Sequence, residues 1–314
     1  MNQKITQLKN ELSKAVIGQE NMIEALIIGL LCEGHILIEG VPGLAKTTTV
    51  NALSKALGLN SKRIQFTPDL LPSDIIGAEI YNPKEHSFSI KKGAVFTHLL
   101  LADEINRAPA KVQSALLEVM QERQITIGDT SFKLEAPFLV MATQNPIEQE
   151  GIYALPEAQL DRFMMKILVK HNSQEDELTI MRKGAKKSFE PVNTVLNKED
   201  IETLQKELEN IHIDDAIERY MVQLITATRE PEIFNLDIRE NIMYGASPRA
   251  SIDLYKASRA KAFLRGNNFV SPADIGYVIH DVLRHRVVLS YEARAKGVTA
   301  DDIISKIVET LPIP

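Results

Sequence analysis

The chain has 314 residues, 44 % of them hydrophobic, enough for a sizeable core and for two domains rather than one uninterrupted barrel. Lys and Arg total 36 against 42 Asp and Glu, a net charge of −6 that argues against a protein whose main task is coating nucleic acid, while leaving room for a local basic channel. The single cysteine, Cys32, can form no internal disulfide, so a reducing compartment fits, a secreted stapled scaffold does not, and a buried thiol is expected.

The N-terminal stretch "MNQKITQLKNELSKAVIGQE" is polar and amphipathic, without the apolar centre of a signal peptide. "ALIIGLLC" is cut by Glu33, Gly34 and His35 well short of a membrane span, so a cytoplasmic protein with no membrane insertion is expected. Next come short apolar runs that read as strands buried on both faces of a parallel sheet: "ILIE" (36–39), "RIQF" (63–66), "HLLLADE" (98–104) and "FLVMATQN" (138–145). Helical patterns separate them, as in "APAKVQSALLEVMQER", where Val112, Ala115, Leu116 and Val119 fall at helical spacing behind Pro109. Alternating β and α gives an α/β fold. "AEIYNPKEHSFSIKKG" and "ITIGDTSFKLE" interrupt the alternation as two inserted hairpins, expected to pack against little beyond themselves. From about Phe189 helical patterns dominate, including "FVSPADIGYVIHDVLRH" with a Ser271 cap and Asp274 three residues on. The expected division is an α/β domain over 1–188 and an all-helical domain over 189–314.

"EGVPGLAKTTT" follows the first strand and opens a helix, the context of a phosphate-binding loop. The loop Gly40, Val41, Pro42, Gly43, Leu44, Ala45, Lys46, Thr47 and Thr48 would wrap the phosphates of ATP, every residue but Pro42 having a backbone N–H to offer. Lys46 would reach the β- and γ-phosphates, and the Thr47 hydroxyl would ligate Mg²⁺. The loop motif has glycine where this chain has Ala45. Alanine matters there only if the position demands positive φ, and a right-handed φ is expected just before the helix. "LLLADE" is an apolar strand ending in Asp103 and Glu104, which suit the Mg²⁺ shell and the activation of the attacking water respectively. His280 and His285 lack Cys or spaced His partners, so no zinc site is expected.

"GVPGLAKT", "LLLADEINRAPAKVQSALLEVMQERQITI", "ATQNP", "LPEAQLDRF", "GASPRA" and "DVLRHRVVLSYEA" together resemble the MoxR-type AAA+ ATPases, over about residues 16–298. The resemblance implies an AAA+ P-loop domain with hairpin insertions followed by a small helical lid. It implies ring oligomers, commonly hexamers, that act as chaperone-like ATPases on partner proteins, often ones with von Willebrand factor A domains. By the same resemblance Asn145 is sensor one, Arg162 an arginine finger reaching a neighbour's nucleotide, and Arg249 sensor two, while Val16, Ile17 and Gly18 pack on adenine. Simpler roles stay open: a turn cap for Asn145, a salt bridge to Glu157 or Asp161 for Arg162, an exposed surface cation for Arg249, and a plain turn at Gly18. "RHR" (284–286) resembles the family's lid signature and reads as interdomain packing. Two rival functions also remain: a nucleic-acid motor, for which Lys84, Lys91 and Lys92 in the first hairpin would serve, and a nucleotide-dependent scaffold with little turnover. The acidic balance disfavours nucleic acid.

Overall fold

The apolar runs assemble into one parallel sheet. The computed structural model describes residues 2–41, 43–84, 86–146, 152–186 and 188–314. Its strands in chain order are β1 (Ile36–Glu39), β2 (Ser61–Gln65), β3 (Gly77–Asn82), β4 (Ser87–Lys92), β5 (Leu99–Asp103), β6 (Gln124–Ile127), β7 (Thr130–Lys133), β8 (Leu139–Gln144), β9 (Met165–Leu168), β10 (Ile242–Tyr244) and β11 (Val288–Leu289). The main sheet runs β2-β5-β8-β1-β9 and every neighbouring pair is parallel. β1 therefore lies inside the sheet, with Ile36 opposite Met141 of β8 on one side and Met165 of β9 on the other. Ile36, Leu37 and Ile38 are buried, as are Leu99 to Ala102 and Leu139 to Thr143, which is why these strands read as unbroken apolar runs.

Both edge strands differ from that pattern. β2 begins two residues before the expected run and ends before the fully buried Phe66. β9 was not anticipated: only Met165 and Ile167 face the core, while Lys166 between them reaches back to pair with Glu39 at 2.7 Å. One half-apolar turn of alternation is too little signal to read as a strand.

Helices cover the sheet on both sides. Glu20–Cys32 is apolar nearly all round and buries every residue from Met22 to Cys32 except Glu24. It joins one apolar cluster with the C-terminal helices Lys198–Glu209, Asp215–Ala227, Pro248–Arg265 and Pro272–Leu283. Glu24 is tied at 2.5 Å to both Lys9 and Lys261, which fastens the N-terminal helix and the Pro248–Arg265 helix to it. Cys32 is buried as expected, and desolvation pushes its thiol up to about 12. On the other side the helix Ala110–Glu122 buries Val112, Leu116 and Val119.

The two insertions are antiparallel hairpins, β3–β4 and β6–β7. Asn82 Oδ1 accepts from the Lys84 N–H and shapes the first turn. At the base of that hairpin a Cβ on Gly77 would lie 2.4 Å from the Lys91 carbonyl, and the backbone takes φ +103°, so only glycine fits. The expectation that both hairpins stand alone is corrected for the second: Ile125 and Ile127 of β6 are buried in the same cluster as Leu116 and Phe138. The first does expose Ile80, Tyr81 and Phe88. Beyond residue 189 helices dominate, with capping boxes at Ser271/Asp274, Asn197/Asp200 and Thr299/Asp302. That part is not purely helical, because β10 and β11 pair as a two-stranded antiparallel sheet. Among the described residues no helix is long and apolar enough to cross a membrane.

Candidate functional site

A cleft of about 330 Å³ opens at the carboxyl end of the sheet, where parallel α/β folds bind ligands. Gly40, Gly43, Ala45, Lys46, Thr47 and Thr48 line it from the loop after β1. Asp103 and Glu104 line it from the end of β5, Thr143 and Asn145 from the end of β8, and Arg63 and Gln65 from β2. Val41 and Leu44 belong to the same loop, and Pro42 lies outside the described residues.

The loop's path explains its glycines. Gly40 lies against the chain leaving β9, so a Cβ there would sit 3.0 Å from the Val169 carbonyl. Gly43 turns at φ +89°. Ala45 departs from expectation: it takes φ 57° and ψ 15°, a left-handed conformation that costs an L-residue about 1–2 kcal/mol. The conformation is retained because the Ala45 carbonyl accepts from both the N–H and the hydroxyl of Thr49, at 2.8 and 2.9 Å, in the first turn of the helix Lys46–Ala56. Lys46 Nζ donates to the Gly40 carbonyl at 2.5 Å. Burial pulls its pKa down, and Asp103, Glu104 and Glu39 oppose that shift.

The two carboxylates at the end of β5 are held separately. Asp103 Oδ1 accepts from the Thr143 hydroxyl at 2.6 Å, and Oδ2 accepts from Arg63 Nη2 at 2.7 Å and Nε at 3.2 Å. Glu104 Oε2 accepts from Gln65 Nε2 at 2.6 Å and faces Arg107 Nε at 3.1 Å. Glu104 is itself left-handed, at φ 56°, with its N–H on the Thr143 hydroxyl, so a strained residue presents this carboxylate. The Thr47 hydroxyl and the Asp103 carboxylate are hard oxygen donors, and Asp103 already faces a cation, so the pair suits Mg²⁺.

Sequence reasoning missed Arg63, Gln65, Arg107 and Thr143. A signal for two of them existed: Arg63 and Gln65 sit at alternate positions of an edge strand, so both project on one face toward the carboxyl end of the sheet.

The other candidates fall into two groups. Val16 is buried, Gly18 turns at φ +72°, and the Ile17 carbonyl accepts from Asn172 Nδ2 at 3.1 Å, while the Gln19 amide donates to the Lys170 carbonyl. This segment is thus sewn to the chain after β9, whose Val169 also abuts Gly40. Arg162 and Arg249 do not line the cleft. Arg249 stands at the start of the helix Pro248–Arg265, capped by Ser247 as expected, and pairs with Asp161 at 3.4 Å. The local alternative of an Arg162–Asp161 salt bridge is not what forms. Asp161 accepts from Arg286 Nε at 2.8 Å and from Ser247 Oγ at 2.9 Å, and among the described residues the Arg162 guanidinium has no ion pair.

"RHR" does the packing that was expected of it. Arg286, 1 % exposed, also binds Asp253 at 2.5 Å and the carbonyls of Asp161, Phe163, Met164 and Val282. His285 Nε2 meets the Phe163 carbonyl at 2.9 Å, and Arg284 binds the Lys166 carbonyl and Asp301. Three consecutive residues thereby bolt the end of the helix Pro272–Leu283 to the segment entering β9. Among the described residues no group of His, Cys, Asp and Glu could hold a metal as a cluster of three.

Comparison with known proteins agrees with this arrangement. The family model for ATPases associated with various cellular activities (AAA) matches residues 35–165, and the AAA lid domain model matches residues 236–307. The chain is 46 % identical to Chaperone MoxR1 of Mycobacterium tuberculosis over 306 residues, 97 % of this chain and 81 % of the relative. It is 41 % identical to protein YeaC of Bacillus subtilis, over 96 % of this chain and 92 % of the relative. A crystal structure from Cytophaga hutchinsonii superposes with a TM-score of 0.93 at 50 % identity, covering 99 % of this chain and 95 % of that one. With the phosphate loop, the Asp-Glu strand end and the lid all in place on a five-stranded parallel sheet, the chain belongs to the MoxR-type AAA+ ATPases.

Proposed function

We propose that this chain binds ATP with Mg²⁺ in the cleft between the β1 loop and β5, hydrolyses it, and couples hydrolysis to the remodelling of partner proteins. The observation that carries the reading is the convergence of Lys46, Thr47, Asp103, Glu104 and Asn145 on one cleft from three separate strand ends. Loop N–H groups from Gly40 to Thr48 receive the phosphates, and the Lys46 ammonium offsets their charge. Thr47 and Asp103 hold the metal, which when bound neutralises charge on the transferring phosphoryl group. Glu104 orients and deprotonates the attacking water, and Asn145 fixes that water or the γ-phosphate. Val16, Ile17 and Gly18 border the adenine. Arg162, left without an ion pair among the described residues, serves a neighbouring copy's nucleotide in a ring, commonly a hexamer, and Arg249 senses the nucleotide from the lid. Residues 1–188 act as core and 189–314 as lid, in the cytoplasm. The client is a partner protein, one with a von Willebrand factor A domain being the first to test.

One set of variants tests the reading. Lys46→Ala loses tight ATP binding, whereas Glu104→Gln binds and loses about 10²–10⁴ in turnover because the amide is no base. Arg162→Ala binds but hydrolyses poorly, and its mixture with Lys46→Ala regains activity where an intact Lys46 faces an intact Arg162. Wild-type turnover in Glu104→Gln overturns the chemistry, and near-normal turnover in Arg162→Ala alone overturns the shared site. Proteins captured by ATP-loaded Glu104→Gln but not by Lys46→Ala identify the client, and no such difference removes the remodelling role.

A further inference from the structure

The cleft contains a second cation besides Lys46 that the phosphate-loop motif does not account for. Arg63 projects from β2 into it, with its Nη2 and Nε 2.7 and 3.2 Å from Asp103 Oδ2 and a further contact from Nη2 to Gln65 Oε1 at 3.0 Å. The remaining oxygen of Asp103 takes the Thr143 hydroxyl. Arg63 therefore occupies the lone pairs of Oδ2, and a metal meeting Asp103 through that oxygen must displace it. A magnesium–oxygen distance is about 2.1 Å, so a guanidinium and Mg²⁺ cannot share one carboxylate oxygen from the same side.

We propose that Arg63 and Mg²⁺ compete for Asp103, and that the guanidinium displaced by the metal turns onto the phosphates of the bound nucleotide, which makes Arg63 a further nucleotide-positioning residue contributed by the chain itself. The inference rests on the ATP reading above. Three features support it. Arg63 is 53 % exposed while Asp103 is 16 % exposed, so the arginine can leave while the carboxylate stays. Its long stem starts on a strand edge that lines the same cleft as Lys46 and Thr47, so phosphate oxygens there lie within its reach. A guanidinium matches phosphate with two parallel N–H donors, so the exchange replaces one charge-assisted pair with another and costs little. The consequence is a nucleotide-dependent metal site: Mg²⁺ alone faces a competitor, and Mg²⁺ arriving with ATP gives that competitor somewhere to go.

The test reads binding, not turnover. The affinity for Mg²⁺ alone, and that for ATP with saturating Mg²⁺ and again in EDTA, are measured calorimetrically for the wild type, Arg63→Met and Arg63→Lys. Arg63→Met keeps the stem and loses the charge. With the competitor gone it tightens the binding of Mg²⁺ alone by about fivefold or more, because competing ligands are coupled reciprocally, and with the phosphate contact gone it weakens ATP binding in saturating Mg²⁺ while leaving metal-free ATP binding near the wild-type value. Arg63→Lys keeps a cation but not the paired donors, and it falls between the two on both readings. Mg²⁺ curves that coincide for the wild type and both variants, while Lys46→Ala still abolishes binding, overturn the role of Arg63 and leave the ATP site standing. ATP binding that is indifferent to Lys46→Ala overturns both.

Discussion

Two clusters of charge in this molecule are built in opposite ways. In the cleft, Arg63 and Arg107 reach Asp103 and Glu104 from positions 53 % and 40 % exposed. At the joint with the C-terminal helices, Arg286 is 1 % exposed and gives all its nitrogens to two carboxylates and four carbonyls. A half-exposed ion pair is worth about 0–1 kcal/mol, so its partners exchange readily. A buried one adds little net stability when intact, yet breaking it leaves an uncompensated charge in the dark. Charges that must let go are therefore kept at the water's edge, and charges that must not are placed inside with every donor used.

The comparison can be broken most directly at Arg286. Arg286→Met should destabilise the fold by about 3–5 kcal/mol in urea unfolding, because Asp161 and Asp253 lose their buried partner. The corresponding loss for Arg63→Met should stay below about 1 kcal/mol. Equal costs at the two sites would end the distinction.

Acid sharpens it next, since each region has a buried imidazole behind it. His35, just before β1, accepts the Val140 N–H on Nδ1 and so presents Nε2–H to the Met120 carbonyl, and burial lowers its pKa from 6.5 to about 4. Burial first, then the neighbouring Arg286, pushes His285 well below 6.5. An imidazole kept neutral in the fold takes up its proton on unfolding. The stability is whole above pH about 6.5 and drains as pH falls toward 4, by about 3 kcal/mol for His35. His35→Gln, which can keep both hydrogen bonds, should flatten that part of the stability–pH curve; an unchanged slope would mean that His35 is already charged in the fold.

The smallest effect belongs to the phosphate loop. Ala45→Gly should relieve the left-handed alanine and raise stability by about 1 kcal/mol, readable as a shift in the urea midpoint. A loss instead would place the strain elsewhere.

Local chemistry was legible in the sequence and distant partnership was not. Lys46, Thr47, Asp103 and Glu104 announce themselves because a loop, a helix start and a strand end are each contained in a few consecutive residues. The three inner strands, β1, β5 and β8, were readable because burial on both faces demands unbroken apolar runs. β9 was invisible because an edge strand needs only alternate apolar residues, and Lys166 stands between its two. The φ of Ala45 was misjudged because alanine's own preference was followed over the glycine that the loop motif places there. Asp161 looked like a local partner for Arg162, but its actual partner, Arg286, is 125 residues along the chain. No short window of sequence contains that choice. The second hairpin was misjudged for a similar reason: Ile125 and Ile127 find their burial against the helix Ala110–Glu122 and Phe138 rather than within the hairpin.

The interior position of β1 also sets a schedule for synthesis. Its neighbours β8 and β9 end at Gln144 and Leu168, so from Glu39 the ribosome must add 168 − 39 = 129 residues before both are complete. At about 5–20 residues per second that takes roughly 6–26 s. Through that interval the nascent chain carries "ALIIGLLC" and "ILIE" without the complete sheet to bury them, and it is the emerging polypeptide, more than the finished protein, that stands most in need of shelter from aggregation.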